Sequence, residues 1–324
     1  MTNVGTWNLE NLFPPGGPFG PRDQAAYEAK LDGLAALIGR SGADVLAVQE
    51  VGDPAALAEL TRRLGEDWRQ VASERFESGH PIRVGFLSRL PLEVVADVSA
   101  FPPPLGPVQA RDDGTGISAT GRGVLAARVR EPGGRDLTLV SAHLKSKLLS
   151  FTGPDGRPRF TPRDEGERAR VAAYALYRRT AEAVTVRALA DRFIEDRGHE
   201  RQVMVMGDLN DEPLAATTQI LYGPPGSEIG TAGENQPDKG DRARLWNLAA
   251  RIPEPERFSR VFHGRRELID HIMVTRSLLR RALDVHTLRP GQGAGLPSVT
   301  DDPAARRDDP ASDHALVFTR LADA

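Results

Sequence analysis

The sequence predicts an α/β or α+β protein with largely antiparallel sheets, on three observations. Short apolar runs bounded by Gly, Pro or charged residues outnumber helical stretches, so strands dominate. Several neighbouring runs are joined by tight Pro/Gly turns, which is how antiparallel strands connect. A few stretches repeat apolar residues at intervals of three and four, giving helices that can cover the sheets.

In chain order, residues 4–9 form the first strand, with Asn8 near its end, and residues 14–21 a Gly/Pro loop. Asp23 caps a helix on which Tyr27, Leu31, Leu34 and Ile38 share a face, and Gly39 and Gly42 stop it. Residues 44–49 are a buried strand that ends at Glu50. Asp53-Pro54, a cap followed by proline at the first helical position, opens a second helix with the stripe Leu57, Leu60, Leu64. Residues 82–88 and the run through Val98 are strands around a turn at 89–91. Residues 101–121, rich in Pro and Gly, read as one long loop. Residues 123–129 and 137–142 make a hairpin through 132–134, and the second strand runs into His143. After a Gly/Pro loop at 151–162, residues 163–197 form a long helix with Val171, Ala175, Val186, Leu189 and Phe193 on its apolar side, ended by Gly198. A strand at 203–206 follows, then a loop-like stretch at 223–242 and strands at 267–274 and 283–288. The chain closes with a polar Gly/Pro/Asp segment at 289–311 and a strand at 314–319. No repeat and no linker stands out, so residues 1–324 are expected to form one domain.

Composition narrows the function classes. Hydrophobic residues make up 40% and charged residues 27% of the chain, ordinary for a soluble globular protein. A formal net charge of -3 argues against a basic nucleic-acid coat. The absence of cysteine removes disulfides, thiolate metal sites and a Cys nucleophile. MTNVGTWNLENLF has no basic stretch leading into an apolar run, and no segment approaches the ~20 apolar residues of a membrane helix. A soluble cytoplasmic protein with no membrane partner is expected.

One pattern recurs within this frame: an apolar strand closes on a polar residue. Asn8, Glu50 and His143 end strands, and Asp208 and Asn210 follow the run 203–206 in VMVMGDLNDEP. Asp270 sits inside LIDHIMV, and Asp313 and His314 precede the last strand. Charged groups at a sheet rim must be solvated, paired or bound to a metal. A Gly-Asp turn uses the same residue types for backbone shape, so GDLND alone decides nothing. Sheet ends that meet at one edge would gather the whole set into one cleft. Its oxygen-dominated, sulfur-free chemistry suits Mg²⁺ better than Zn²⁺. An unpaired carboxylate within an apolar strand is costly, so Asp270 needs a partner.

The motifs TWNLEN, VLAVQEV, SAHLKS, GDLND, IDHIMV and SDHALV, in this order over nearly the whole chain, resemble those of the endonuclease/exonuclease/phosphatase superfamily, the DNase I-like enzymes. The resemblance implies a four-layer α/β sandwich of two face-packed, mostly antiparallel sheets flanked by helices. It implies hydrolysis of a phosphate ester by in-line attack of water, with Mg²⁺ as cofactor or Mn²⁺ in its place. It further implies metal ligation by Glu50 with Asn8 and Asp313, and orientation or deprotonation of water by Asp208 and Asn210. His314 would touch the phosphoryl group with its ring held by Asp270, and His143 would donate from the other side. The long helix after SAHLKSKL departs from DNase I and exodeoxyribonuclease III, and His143 stands where abasic-site endonucleases carry Tyr. His80, His199, His263, His271 and His286 receive no role, and His271 would face away from Asp270.

From Lys145 to Arg179, nine basic residues stand against four acidic ones, an electropositive stretch beside His143 that can steer a polyanion. Lys145, Arg163 and Arg168, with Arg122 earlier, are the candidate phosphate contacts. A DNA nuclease, with nucleic acid as its substrate, is the leading expectation. The alternatives are a phosphatase or phosphodiesterase on a small-molecule or lipid phosphate, and, from another class, a non-catalytic phosphate- or partner-binding module on the same fold. Such a module would be expected to lose members of the constellation, and none is missing.

Overall fold

Alternation of side chains along the strands builds four layers. The structure, a computed structural model, describes residues 1–79, 81–153, 158–290, 295–302 and 304–323, so His80, Asp155 and Arg157 lie outside the described residues. One six-stranded sheet has the order Ala282–Leu288, Leu316–Leu321, Thr2–Leu12, Val45–Val51, Arg83–Ser88, Arg69–Ala72. The other has the order Trp246–Asn247, Asp270–Val274, Val203–Asp208, Asp136–His143, Ala119–Arg130, Leu92–Ala100. Val45 and Ala47 point inward and pack with Val84 and Phe86 and, from the facing sheet, Leu125, Leu139, Met204 and Ile272. Leu46 and Val48, the alternate residues, pack with Leu31 and Leu34 of helix α1 (Gln24–Ser41) and Leu57 and Leu60 of helix α2 (Pro54–Leu64). On the far side, Val140, Ala142, Val203 and Val205 lie under Ala183, Val186, Leu189 and Ile194 of helix α3 (Glu165–Ile194).

Both sheets are mixed. Thr2–Leu12 runs parallel to Val45–Val51, and Asp136–His143 parallel to Val203–Asp208. A crossover containing a helix lets a strand return in parallel, and α1 and α3 supply these two crossovers. Parallel pairing brings the C-terminal ends of both strands to the same edge. Asn8 is opposite Gln49, next to Glu50, and Asp208 is opposite His143. The antiparallel strand Asp270–Val274 begins at that edge, with Asp270 opposite Asp208.

The helix ends follow the sequence closely. Asp23 accepts from Ala26 N at 2.9 Å, and α1 runs through Gly39 to end with Gly42 at φ 61. Asp53 accepts from Ala55 N at 2.7 Å at the head of α2. Helix α3 is capped by Asp164 rather than beginning at Arg163, and ends at Glu195 (φ 53) ahead of Gly198. The stretch 101–121 is not all loop: Val108–Gln109 pairs with Gly116–Ile117, and Ala119–Arg130 begins inside it. Within 289–311, Ser298–Val299 pairs with Arg260–Phe262, which also pairs with Arg265–Glu267. The expected strand 267–274 is therefore two strands, divided at Leu268 and Ile269. Pieces of two or three residues are too short for alternation to reveal. No helix among the described residues is long and apolar enough to cross a membrane.

Candidate active site

At one edge of the sandwich the core turns polar. Inward positions are apolar in the middle, at Val4, Val45, Leu139 and Met204. Two residues further along three of these strands come Thr6, Ser141 and, after Ala47, Gln49. Thr6 Oγ1 donates to Gln49 Oε1 at 3.2 Å, and Gln49 Nε2 to Ser141 Oγ at 3.4 Å, so this buried layer satisfies itself. Beyond it the same faces carry Asn8, His143 and Asp208, with Asp270 from the adjoining strand, all buried.

Glu50 reaches the site by breaking this alternation. It takes φ 58, and the pairing register shifts between Val48 and Val51. Its Oε1 then accepts from Asn8 Nδ2 at 3.0 Å and its Oε2 from Asn11 N at 2.8 Å. Glu10, Asn11 and Asn210 are also left-handed, at φ 50, 54 and 54. Such backbone costs ~1–2 kcal/mol per non-glycine residue, and its concentration at one rim is characteristic of a functional site.

Asp208 is the hub. Its Oδ2 accepts from Asn8 Nδ2 at 3.0 Å and lies 3.5 Å from His143 Nε2 and 3.9 Å from His314 Nε2. Its Oδ1 accepts from Asn210 N at 2.9 Å, while Asn210 Nδ2 donates to Leu144 O at 3.0 Å. Burial, and then the charge of Asp270, push the Asp208 carboxyl up to about 7 against the pull of His314 and Asn8. His314 Nδ1 lies 2.7 Å from Asp270 Oδ2. Burial would lower the His314 ring, but Asp270, Asp313 and Asp208 outweigh it and push it up to about 10, so it is an imidazolium at neutral pH. Trp7 Nε1 donates to His314 O at 2.9 Å and Ser312 Oγ to Asn8 O at 2.7 Å, which fastens the SDH segment to the first strand.

Ligand atoms of Asp208, Asp270 and His314 lie within 4.8 Å of one another. With His314 protonated, that trio shares protons, since a cationic ring has no lone pair for a metal. The oxygen-rich side lies across Asn8, at Glu50, Glu10 and Asp313. Asp313 N donates to Glu10 Oε2 at 3.0 Å, and Arg306 Nε to Glu10 Oε1 at 2.9 Å. Burial, and then Asp313, push Glu10 up to about 7, while Lys30 and Arg306 oppose the shift. Burial lowers Lys30, and Glu10, Asp313 and Glu50 counter it. A carboxyl raised by a carboxylate neighbour is one that an added cation would relieve, and an all-oxygen set suits a hard divalent ion. These residues therefore fit the metal. Asn8 departs from its expected role as a ligand: it turns Nδ2 toward Glu50 and Asp208, while its Oδ1 accepts from Glu10 N at 2.9 Å. It spaces the two carboxylates.

The four candidate phosphate contacts separate. Arg122 NH1 donates to Leu144 O at 2.9 Å; burial lowers the guanidinium, and Glu182, Glu50 and Asp208 are among the charges that support it. Lys145 Nζ is held by Ser146 O at 3.1 Å, Ser146 Oγ at 3.2 Å and Leu148 O at 3.0 Å. Burial, then Arg122 and Arg178, push it down to about 7. Arg163 bonds Glu167 and Arg168 bonds Glu165, acids in the first turn of α3, and neither is bonded to the cluster. Buried His271 sits between Asp211 O (2.8 Å from Nε2) and Asn247 Nδ2 (3.2 Å from Nδ1), apart from the hub. The motifs do not reveal Lys30 or Glu182, whereas Glu10, inside TWNLEN, reads from the sequence as either flanking the site or lying in a solvated turn. Lys30 and Glu182 carry a signal all the same: each is a charge on a helix face of buried residues, beside Tyr27 and Leu34 in one case, Ala175 and Val186 in the other.

The fold and this cluster define a phosphoester hydrolase. The profile of the endonuclease/exonuclease/phosphatase family matches residues 5–314, and the chain belongs to that family of metal-dependent hydrolases. Among solved structures, a mannosyl-6-phosphatase of Bacteroides thetaiotaomicron is similar at TM-score 0.55 and 12% identity, over 100% of both chains. A truncated TDP2 of Caenorhabditis elegans is similar at TM-score 0.56 and 14% identity, over 99% of this chain and 98% of that one. The 3′ phosphatase NExo from Neisseria, bound to a product DNA hairpin, is similar at TM-score 0.53 and 15% identity, over 100% of both. At these identities the likeness is one of fold. A search of the curated proteins finds no match.

Proposed function

We propose that the chain acts as a single-domain, cytoplasmic, Mg²⁺-dependent phosphodiesterase that cuts DNA, with Mn²⁺ able to replace Mg²⁺. The observation that carries this reading is Asp208, a carboxyl raised to about 7 between His143 and the His314 imidazolium. A general base works best with a pKa near the working pH, and a fixed cation stabilises charge developing on phosphoryl oxygens.

Glu50 and Asp313, with Glu10, would hold the divalent ion, which when bound polarises the phosphoryl oxygens and offsets their charge. Asp208 orients the attacking water and takes its proton. Asn210 fixes the Asp208 carboxylate through its backbone N–H, and Asn8 keeps Asp208 and Glu50 apart. His314 donates from Nε2 to a non-bridging oxygen while Asp270 holds Nδ1, and His143 donates from the other side. Arg122 contacts the phosphate. Leaving-group departure then completes an in-line displacement.

Support for DNA comes from the basic stretch beside His143 and from the DNA product in the similar Neisseria structure. A second reading, a phosphatase for a small phosphate ester, is favoured by the pairing of Arg163 and Arg168 with acids, which weakens a polyanion track. The test incubates the protein and Asp208→Ala with plasmid, linear and single-stranded DNA, RNA and phosphate esters, in Mg²⁺ or EDTA. Mg²⁺-dependent DNA cleavage that vanishes in Asp208→Ala is expected. Turnover of phosphate esters without DNA cleavage would move the conclusion to the second reading, and no turnover of anything would remove both.

A further inference from the structure

The ladder between two neighbouring strands ends just before their functional residues. The last pair between Ala119–Arg130 and Asp136–His143 at this end is Val124 with Ala142, so Arg122 and His143 lie beyond it. Helix α3 takes over there. Glu182, fully buried, accepts from Lys145 N at 2.6 Å on Oε2, and from Gly121 N at 3.2 Å and Arg178 Nε at 3.0 Å on Oε1. Arg178 also reaches Glu77 at 2.8 Å. The next residue, Arg179, donates to Lys145 O at 2.9 Å and to Asp211 Oδ2 at 3.2 Å, which ties in the GDLND turn. Arg122 NH1 closes the ring onto Leu144 O at 2.9 Å, the only protein hydrogen bond of this guanidinium among the described residues.

A carboxylate with no work beyond filling space is a poor choice in a core, because the buried charge is costly and an apolar residue packs as well. Here both oxygens are used on backbone amides that flank the two groups facing the phosphoryl position. Of the charges that support the buried Arg122 guanidinium, that of Glu182 is the largest. We propose that Glu182 is a positioning residue: it sets the spacing and aim of Arg122 and His143, and so builds the phosphate pocket from a helix that makes no contact with substrate. The proposal rests on the phosphoesterase reading above.

The test is a double-mutant cycle with Glu182→Gln, Arg122→Gln and the pair. The readouts are kcat and KM for bis(p-nitrophenyl) phosphate in Mg²⁺, and the Kd for inorganic phosphate by calorimetry. Glu182→Gln alone is expected to raise KM and the phosphate Kd by about tenfold, as for loss of a charge-assisted network, and by less than about twofold in the Arg122→Gln background. A purely structural role gives the same factor in both backgrounds, and that result, or no effect at all, overturns the proposal. If Glu182→Gln does not fold, Glu182→Asp, which keeps the charge one methylene short, carries the same cycle with the same expected non-additivity. Phosphate binding separates the two readings. A protein that binds phosphate with this coupling but hydrolyses nothing refutes the enzyme and upholds the role of Glu182. One that hydrolyses with additive losses does the reverse, and one that binds no phosphate ends the proposal.

Discussion

Asp270→Asn keeps the side-chain volume and a carbonyl acceptor but removes the charge that most strongly raises His314. His314 stands near 10 in the protein against an ordinary 6.5. That interval is roughly 5 kcal/mol of preference for the imidazolium in the folded state, at about 1.4 kcal/mol per tenfold. Because the folded state binds the proton more tightly than the unfolded one, this stabilisation is complete below pH 6.5 and is lost as the pH rises through about 10. Without Asp270, Asp313 and Asp208 still favour the charged ring, so the His314 pKa is expected to fall by roughly 1–3, the usual effect of one close opposite charge. Two measurements check this. In EDTA, the His314 ring followed by NMR should titrate lower in the variant by that amount. In Mg²⁺, the alkaline limb of the kcat/KM profile should move down by a similar amount, since the proposed mechanism uses the imidazolium. Urea unfolding should show the variant losing most, about 1–4 kcal/mol, below pH 6.5, with the gap closing toward pH 10. A variant whose ring titration and alkaline limb both coincide with wild type would refute the idea that Asp270 holds the imidazolium.

Three further outcomes are expected. Glu50→Gln keeps one of the two acceptors that Asn8 and Asn11 use and loses a hard anionic ligand, so Mn²⁺ binding, read by EPR without turnover, should weaken at least about tenfold; unchanged affinity removes Glu50 from the ligand set. Gly207→Ala would drive a Cβ into the carbonyl of Ala142 on the parallel neighbour, at φ 147, and should cost more than about 4 kcal/mol in urea unfolding; a wild-type midpoint would show that this seam has slack. Arg168→Ala should leave both stability and the salt dependence of cleavage unchanged, because its exposed guanidinium is paired with Glu165; a shallower salt slope would restore Arg168 as a phosphate contact.

The elements and the hub were legible because both depend on alternation along single strands. Val4–Thr6–Asn8 and Met204–Met206–Asp208 are each one face read outward from core to rim. The partners of a strand are not written in its own residues, so the parallel pairs of Asn8 with Gln49 and His143 with Asp208 had no local signal. Glu50 shows the limit more sharply. Strict alternation would turn it outward with Leu46 and Val48, and only a left-handed residue and a register break bring it in. Its motif located it, but its geometry did not follow from periodicity.

The substrate side failed to emerge for a different reason: charge was counted without its local partners. Arg163, just ahead of the Asp164 cap, lies four residues before the Glu167 carboxylate that binds it, and Arg168 lies three residues after Glu165, an interval at which helix side chains meet. Such pairs cancel locally and leave little field for a ligand. Lys145 escapes that cancellation but is turned onto three main-chain and side-chain oxygens of its own loop. Of the four candidates, Arg122 alone keeps most of its donors uncommitted beside Asp208 and Glu50. In the proposed mechanism a cation becomes a phosphate ligand through what folding leaves unpaired. The residue proposed to position it is Glu182, an acid on a basic helix, which a net-charge count would have scored against the site.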